Sequence, residues 1–430
     1  MHLLHTSSSD FPAAFGVLLQ QGRATTEGVD QLVAAIIADV RIRGDQALID
    51  YTARFDRLTL TNNAIRVTPA EIDAAVAIVH DEQIAAIDLA ARRIEAFHCL
   101  QRPADLQQVD DIGLTLGMRW TPLDAAGLYV PGGKAAYPSS VLMNAIPARV
   151  AGVRRIAMCV PAPDGMLNPL VLAAANRAGV SEIYRIGGAQ AIAALAYGTV
   201  TVAPVDRIVG PGNAYVAAAK RQVFGHVGID SIAGPSEVVV IAEAANDPRH
   251  VAIDLLAQAE HDETAQAILI TDDDAFAAAV AAAVARELPS LPRVAIADAS
   301  WRHHGAIIVV RDWLEATELA NRLAPEHIQL MMADPGPVFA RIRHAGAVFL
   351  GRFCPEALGD YVAGPNHVLP TGRTARFASG LSVFDFLKRT TWVQADAPAL
   401  TRLGASVITL AEAEGLQAHA RSIALRLGQT

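Results

Sequence analysis

An adjacent carboxylate and imidazole, Glu326 and His327, are the side chains in this 430-residue sequence best suited to proton transfer. Pro325 precedes them, and a proline disfavours the helical conformation in the residue before it, so we expect a helix to end at a bend here. A free imidazole titrates at about pH 6.5 and a free glutamate at about pH 4.3, which makes His327 the better base at neutral pH. An ordinary surface pair of Glu and His is the alternative.

A possible metal-binding pair, Gln258 and His261, follows an apolar helical run at residues 251–256. Residues three apart share one face of a helix, so an amide oxygen and an imidazole nitrogen could reach one metal ion. A solvated helix face or a helix cap is the ordinary alternative for such a pair.

Two further groups of polar residues lie in the C-terminal part of the sequence. Asp360 and His367 belong to a glycine-bracketed polar loop at residues 359–367, a composition that favours ligand binding over a plain turn. Glu414 and His419 are five apart in a predicted final helix and share a face only roughly, so by themselves they resemble surface residues. Glutamine, histidine and aspartate from these segments would suit zinc or a similar divalent ion, although spacing alone does not bring them together.

The elements that must position these residues alternate between strands and helices. Residues 29–96 have a helical pattern, and a closing helix is predicted from about Glu412. Between these ends, alternation predicts βαβ units, a largely parallel sheet and a second α/β unit after Asp254. The predicted strands are residues 126–130, 155–160, 182–186, 207–209, 238–241, 267–270 and 305–310.

Glycine-containing turns follow several predicted strands, at residues 129–133, 186–190 and 209–213. Ligands bind at the carboxyl ends of strands in open α/β sheets, although plain turns explain each glycine equally well. None of the turns spells GxGxxG with an acidic residue about twenty positions later, so the standard dinucleotide fingerprint is absent. The last turn opens the helical run 214–221, whose free N–H groups would favour a phosphate.

Composition restricts the class of protein. The length predicts two or three domains, and 52% hydrophobic residues are enough to fill their cores. With 18% charged residues and a formal net charge of -9, no basic face for nucleic acid is expected. The first ten residues do not resemble a secretory signal and the apolar stretches are too short to span a bilayer, so we expect a cytoplasmic protein with no membrane partner. Three scattered cysteines suggest no disulfide framework, and Cys159 is expected to belong to the core.

Over essentially its whole length, the sequence resembles bacterial histidinol dehydrogenases. Eight segments in the same order carry the resemblance, which makes it far more specific than any short motif. They are residues 129–133, 187–199, 210–223, 233–242, 254–262, 324–327, 359–371 and 379–389.

The resemblance implies roles for particular residues. Zinc would be bound by Gln258, His261, Asp360 and His419. NAD would contact Tyr129, Gln190 and Asn213, all at the glycine turns described above. Substrate contacts would come from Ser236, His367 and Glu414, together with the zinc ligands and His327.

The resemblance also implies the reaction, in which L-histidinol is oxidised through L-histidinaldehyde to L-histidine by two hydride transfers to NAD. His327 would accept the alcohol proton, and Glu326 or His327 would activate the water that adds to the aldehyde. The bound zinc would orient the substrate through its imidazole and amine.

The implied fold is α/β, with two incomplete Rossmann-like domains and small helical N- and C-terminal segments. The expected divisions are an N-terminal segment 1–25, a discontinuous zinc and substrate domain 26–128 and 236–380, an NAD domain 129–235 and a C-terminal dimerisation segment 381–430. An intertwined homodimer with sites shared between chains is expected.

Two rival functions are possible. A related zinc-dependent dehydrogenase of another small polar alcohol, such as sulfopropanediol, would be expected to lack the groups around Glu414 and His419, and both are present. A non-catalytic ligand-binding protein of the same fold would have no reason to keep Glu326, His327 and four potential metal ligands.

Overall fold

The computed structural model describes residues 1–20, 28–132, 137–232 and 234–429. The strands, numbered β1 to β14 in chain order, are His2–His5, Leu106–Val109, Thr115–Pro122, Ala125–Tyr129, Arg155–Cys159, Glu182–Tyr184, Arg207–Val209, Gly228–Ile229, Glu237–Ala242, Gln266–Thr271, Ala306–Val309, His327–Met331, Ala347–Leu350 and Leu387–Gln394. The helices, numbered α1 to α17, are Phe11–Gln20, Val29–Arg43, Asp45–Asp56, Pro69–Ala77, Asp81–Cys99, Pro138–Ala151, Pro169–Ala178, Gly188–Tyr197, Ala214–Val223, Pro248–Ala259, Asp274–Glu287, Val294–His304, Trp313–Leu323, Gly336–Phe339, Glu356–Tyr361, Ala397–Ala413 and Gln417–Arg426.

The first parallel sheet has five strands in the order β6-β5-β4-β7-β8. All five residues of β4 are buried, as expected for a central parallel strand covered on both faces. Counted along the chain, the strand order is 3-2-1-4-5, which is the Rossmann order without its sixth strand. The order reverses between β4 and β7, so a ligand crevice is expected at the carboxyl ends of these two strands.

The second parallel sheet has six strands in the order β1-β11-β10-β9-β12-β13. The strands from β9 to β13 repeat the 3-2-1-4-5 order, and the N-terminal β1 adds to one edge. Sequence comparison within the chain indicated no internal repeat, whereas the topology repeats. The predicted α/β class with two incomplete Rossmann-like sheets is therefore confirmed.

Both faces of the second sheet are buried. Because side chains alternate along a strand, Val239 and Ile241 of β9 contribute to the core on one face, and Val238 and Val240 to the core on the other. The first sheet has its own core, which includes Cys159, so the prediction of a core position for that cysteine is confirmed. Among the described residues, no helix combines the length and apolar character that a membrane span requires.

Contact density separates two compact units. One comprises Met1–Gln101 and Asp124–Phe386, and the other comprises Arg102–Leu123 and Leu387–Thr430, of which Thr430 is not described. The second unit contains an antiparallel sheet in the order β14-β3-β2 and the helices α16 and α17. Gly117 of β3 pairs with Trp392 of β14, and a Cβ at position 117 would lie 2.1 Å from the indole ring, so only glycine fits there.

Several sequence predictions need correction. The closing helix does not begin at about Glu412, because α16 already begins at Ala397 and a separate helix, α17, follows a break at Gly415. Gly415 has φ of +73°, a left-handed conformation that ends α16. The antiparallel sheet was not predicted. The compact units divide the chain differently from the predicted domains, whose boundaries stay a prediction, and the expected boundary at 25/26 lies outside the described residues.

Candidate active site

The pair Glu326 and His327 lies at the start of β12 and is buried, with 6% and 4% of each residue exposed. The surface-pair alternative is therefore wrong. The helix α13 ends at Leu323, and Ala324 adopts a left-handed φ of +45° before Pro325. The predicted bend before the pair is thus confirmed, and it turns the chain directly into a central strand of the second sheet.

Three oxygen atoms surround one nitrogen of the His327 ring. Its Nδ1 lies 3.2 Å from the backbone oxygen of Glu237, 3.5 Å from a carboxylate oxygen of Glu356 and 3.8 Å from one of Glu326. The other ring nitrogen, Nε2, is buried and has no hydrogen-bond partner among the described residues. Burial lowers the pKa of His327 to about 4, so the ring is neutral at pH 7.

Glu326 has the opposite response to the same burial. Loss of solvent raises the pKa of its carboxyl group well above the usual range, although the group accepts hydrogen bonds from the Glu237 amide, at 3.2 Å, and from the Ser236 side chain. A protonated carboxyl group beside a neutral imidazole can exchange protons with a substrate in either direction.

Gln258 lies in the last turn of the helix α10, inside the same unit. It is fully buried, and neither its Nε2 nor its Oε1 has a hydrogen-bond partner within the described part of the chain. His261 lies just beyond the helix, which ends at Ala259, so the two residues do not share a helical face as predicted. The Nδ1 of His261 lies 2.8 Å from the Ala257 carbonyl oxygen, which leaves its Nε2 as the nitrogen with a free electron pair.

Asp360 belongs to the short helix α15 rather than to a loop, so the predicted loop at 359–367 begins with a helical turn. One ligand atom from each of His327, Glu356 and Asp360 lies within 4.8 Å of the others. The backbone oxygen of Asp360 lies 2.9 Å from Nδ1 of His367, and burial lowers the pKa of His367. The charge of Asp360 acts to raise the pKa of Glu326, His327 and His367, although burial outweighs it for the two histidines. These three groups therefore surround one carboxylate.

Sequence reasoning missed Glu356. It is 4% exposed and lies four residues before Asp360, on the same face of α15, so the i,i+4 carboxylate pair was the available signal. Glu414 and His419 belong to the second unit, where both are exposed. Glu414 directly follows α16 and His419 lies in α17, so they are not in one final helix as predicted.

Of the residues expected to bind NAD, Tyr129 and Asn213 lie at the carboxyl ends of β4 and β7, the switch point of the first sheet, and Gln190 lies in α8 after β6. The hydroxyl oxygen of Tyr129 accepts a hydrogen bond from the Gly188 amide at 3.1 Å, and Asn213 caps α9 through the amides of Tyr215 and Val216. Gln190 is 1% exposed, and its Oε1 has no partner among the described residues. Of the expected segments, Gly133 and Ala233 lie outside the described residues.

The donor atoms of the second sheet fit a zinc ion. A buried amide without a hydrogen-bond partner among the described residues, a carboxylate and imidazole nitrogens are the nitrogen and oxygen ligands that a borderline divalent ion accepts. An unpaired buried amide is costly unless a ligand satisfies it, which makes Gln258 the most informative member of the set.

Comparison with known proteins gives one consistent answer. Residues 19–427 match the family model described as histidinol dehydrogenase. A histidinol dehydrogenase of Gluconobacter oxydans is 66% identical over 427 residues and covers 99% of both chains, and one of Rhodospirillum rubrum is 61% identical, covering 99% of this chain and 98% of the relative. The crystal structure of histidinol dehydrogenase from Elizabethkingia anophelis superposes with a TM-score of 0.95 at 38% identity, over 100% of this chain and 98% of that one. The chain therefore belongs to the histidinol dehydrogenase family, the NAD-dependent and zinc-binding oxidoreductases of histidine biosynthesis.

Proposed function

We propose that the buried pair Glu326 and His327 carries out the proton transfers by which this chain oxidises L-histidinol to L-histidine. The observation that carries the proposal is the neutral, buried His327 ring: its Nδ1 lies 3.8 Å from the Glu326 carboxyl group, and its Nε2 has no hydrogen-bond partner among the described residues. A base of this kind is available at neutral pH without first losing a proton to solvent.

Gln258, His261, Asp360 and His419 are proposed to hold the zinc. The Gln258 amide, which has no hydrogen-bond partner in the described part of the chain, supports the first of these. The Nε2 of His261, opposite the nitrogen that contacts the Ala257 carbonyl, supports the second, and the cluster of Asp360 with His327 and Glu356 supports the third. His419 rests on the resemblance alone. When bound, zinc fixes the nitrogen atoms of the substrate and NAD accepts the hydride.

The residues of the chain supply the remaining steps. His327 takes the hydroxyl proton of L-histidinol through Nε2 as the carbon is oxidised to the aldehyde. After His327 has passed this proton to solvent, His327, or Glu326 in its ionised form, removes a proton from the water that adds to the aldehyde. Once that proton has also been released to solvent, the gem-diol loses a proton to His327 in the second oxidation. Ser236, His367 and Glu414 are proposed to contact the substrate, and Tyr129, Gln190 and Asn213 to contact NAD.

The proposal includes a homodimer whose sites are shared between chains, and a cytoplasmic location. Resemblance to the family supports the dimer, and the biosynthetic role supports the location.

The decisive test measures NADH formed per L-histidinol consumed, before and after metal removal. We expect two NADH per substrate, loss of turnover on chelation with binding of NAD largely retained, and recovery with zinc. A preparation shown by elemental analysis to lack divalent metal yet fully active would contradict the zinc assignment. A yield of one NADH per substrate would contradict the two-step oxidation.

A further inference from the structure

Glu356 is a buried acidic residue in contact with the proposed base, and the roles assigned so far do not include it. One of its carboxylate oxygens lies 3.5 Å from Nδ1 of His327, and its other oxygen, Oε2, is buried with no hydrogen-bond partner among the described residues. A carboxyl group in this position can orient the imidazole through an acceptor oxygen, whether or not it is ionised, or it can bind the metal, and the surrounding contacts favour the first of these roles.

The contacts of Nδ1 define which nitrogen of His327 carries hydrogen. The backbone oxygen of Glu237, 3.2 Å from Nδ1, can only accept a hydrogen bond. Nδ1 is therefore the protonated nitrogen of the neutral ring, and Nε2 keeps the electron pair that accepts the substrate proton. Turning the ring over by half a rotation about χ2 would place a C–H group against Glu237 and Glu356 and would move the basic nitrogen away from its present position.

Neighbouring elements fix the position of Glu356 in turn. Its backbone amide donates a hydrogen bond to Oε1 of Gln329 at 3.4 Å, and Nε2 of Gln329 donates to Asp254 at 2.5 Å. Gln329 lies two residues after His327 on β12, and Asp254 lies four residues before Gln258 on α10. One line of contacts therefore connects the helix carrying a proposed metal ligand, the strand carrying the base, and Glu356.

The geometry points to Glu356 as a positioning residue for His327. The hydrogen bond between Nδ1 and the Glu237 carbonyl, together with the Glu356 oxygen 3.5 Å from Nδ1, orients the ring so that Nε2 faces the substrate. The same arrangement of an acceptor behind a histidine fixes ring orientation and tautomer in many enzyme and metal sites. This inference rests on the proposed role of His327. It assigns to Glu356 the supply of an acceptor oxygen behind the ring, and not the transfer of a proton.

The test compares three substitutions at this position in the zinc-loaded enzyme. Glu356→Ala removes the acceptor, and we expect kcat to fall about 10- to 100-fold with KM for L-histidinol changed by less than about twofold. Glu356→Gln keeps an oxygen acceptor of the same reach, and we expect its kcat to stay within about threefold of the wild type. Glu356→Asp shortens the side chain by one methylene group and should give a kcat between these two.

Two further measurements separate positioning from other roles. Elemental analysis after dialysis should find the same zinc content in Glu356→Ala as in the wild type, because a positioning residue is not a ligand. Added formate, which can occupy the space left by the carboxylate, should restore part of the kcat of Glu356→Ala and leave Glu356→Gln unchanged. The matched control is Glu243→Ala, which removes a partly buried, ion-paired glutamate at the opposite edge of the same sheet and should keep wild-type kcat and no response to formate.

Several results would overturn the inference. Loss of zinc from Glu356→Ala would make Glu356 a metal ligand instead, and an unchanged kcat would show that His327 needs no support from it. An equal loss of kcat in Glu356→Gln and Glu356→Ala would show that an acceptor oxygen is not what matters. If Glu356→Ala does not fold, the order of kcat among wild type, Gln and Asp decides the question. Failure of the wild type and of Glu243→Ala to oxidise L-histidinol would instead count against the proposed function.

Discussion

Burial shifts the pKa values of Glu326 and His327 in opposite directions. Removing solvent disfavours the charged form of each group, so the carboxyl pKa rises and the imidazole pKa falls to about 4. Both shifts favour the neutral forms of the two groups. In these forms, neither group carries an unpaired buried charge until a substrate proton moves.

A substitution at His327 tests the base assignment. His327→Ala should retain zinc content near that of the wild type and lower kcat by about 10²- to 10⁴-fold, the usual range for losing a general base. Steady-state NADH production with L-histidinol measures the effect. His80→Ala, which removes an exposed imidazole from the same compact unit, is the control and should keep wild-type kcat. A folded, zinc-loaded His327→Ala enzyme with at least half the wild-type rate would rule out the role.

At the scale of elements, a buried ion pair shapes the turn between β7 and α9. The side chains of Lys220 and Asp230 pair with each other, and both bind Gly210. Lys220 donates a hydrogen bond to the Gly210 carbonyl at 3.0 Å, and the Gly210 amide donates one to Asp230 at 2.7 Å. Gly210 has φ of +110°, and a Cβ there would lie 2.1 Å from the backbone oxygen of Tyr129. The pair and the glycine together hold the switch-point turn against β4.

Breaking this pair should destabilise the protein much more than breaking an exposed pair. Lys220→Met leaves the Asp230 carboxylate buried and unpaired, and we expect a loss of about 3–5 kcal/mol in unfolding free energy, measured by urea denaturation. Because the turn is next to the proposed NAD residues, KM for NAD should also rise. Adding Asp230→Asn to this variant should recover part of the lost stability, since it removes the unpaired charge.

The ion pairs of Arg43 with Asp39 and Asp50 provide the comparison, because the Arg43 and Asp50 side chains are 40% and 47% accessible. Arg43→Met should cost no more than about 1 kcal/mol and leave KM for NAD unchanged. Equal effects of the two substitutions would show that the Lys220 pair contributes nothing beyond a surface contact.

Across the whole molecule, the two parallel sheets share one strand order, but the proposed functional residues lie at opposite edges of the two sheets. The proposed NAD residues lie at the carboxyl edge of the first sheet, whereas Glu237 and His327 begin strands at the amino edge of the second. At the carboxyl edge of the second sheet, the segments that follow β9, β12 and β13 contact one another. Glu243 accepts a hydrogen bond from the Ala333 amide at 3.0 Å and pairs with Arg352.

The proposed sharing of sites between two chains predicts complementation. Suppose that each site takes His327 from one chain and His419 from the other. A mixed dimer of His327→Ala with His419→Asn then has one site with both lesions and one wild-type site. Doubly tagged mixed dimers should show about half the wild-type NADH production per dimer, and random re-pairing of the two inactive variants should give about a quarter.

Dimers of each variant with itself are the controls and should stay inactive. If a site is built within a single chain, every site in a mixed dimer contains one lesion and no mixing ratio restores activity. An absence of rescue in folded, zinc-loaded mixed dimers would therefore show that His419 does not act across the interface.

Local patterns in the sequence were enough for the α/β class, the central strands and the bend before Glu326. Apolar runs, helical periodicity and a proline act over a few residues, so their effects can be predicted without knowledge of distant parts of the chain. The antiparallel sheet that joins residues 115–122 to 387–394 was not predicted, because pairing over such a separation leaves no local pattern.

The site required the tertiary structure for the same reason. Sequence identified Glu326 and His327 as an acid and a base, but only the packing of β9 beside β12 determines which nitrogen of His327 is free. Glu356 escaped sequence reasoning because its i,i+4 spacing to Asp360 is also typical of exposed helix faces, and its burial depends on contacts with a strand distant along the chain. Residue type and spacing determined which groups could react, whereas burial and distance, which only the folded chain sets, determined their charge and orientation.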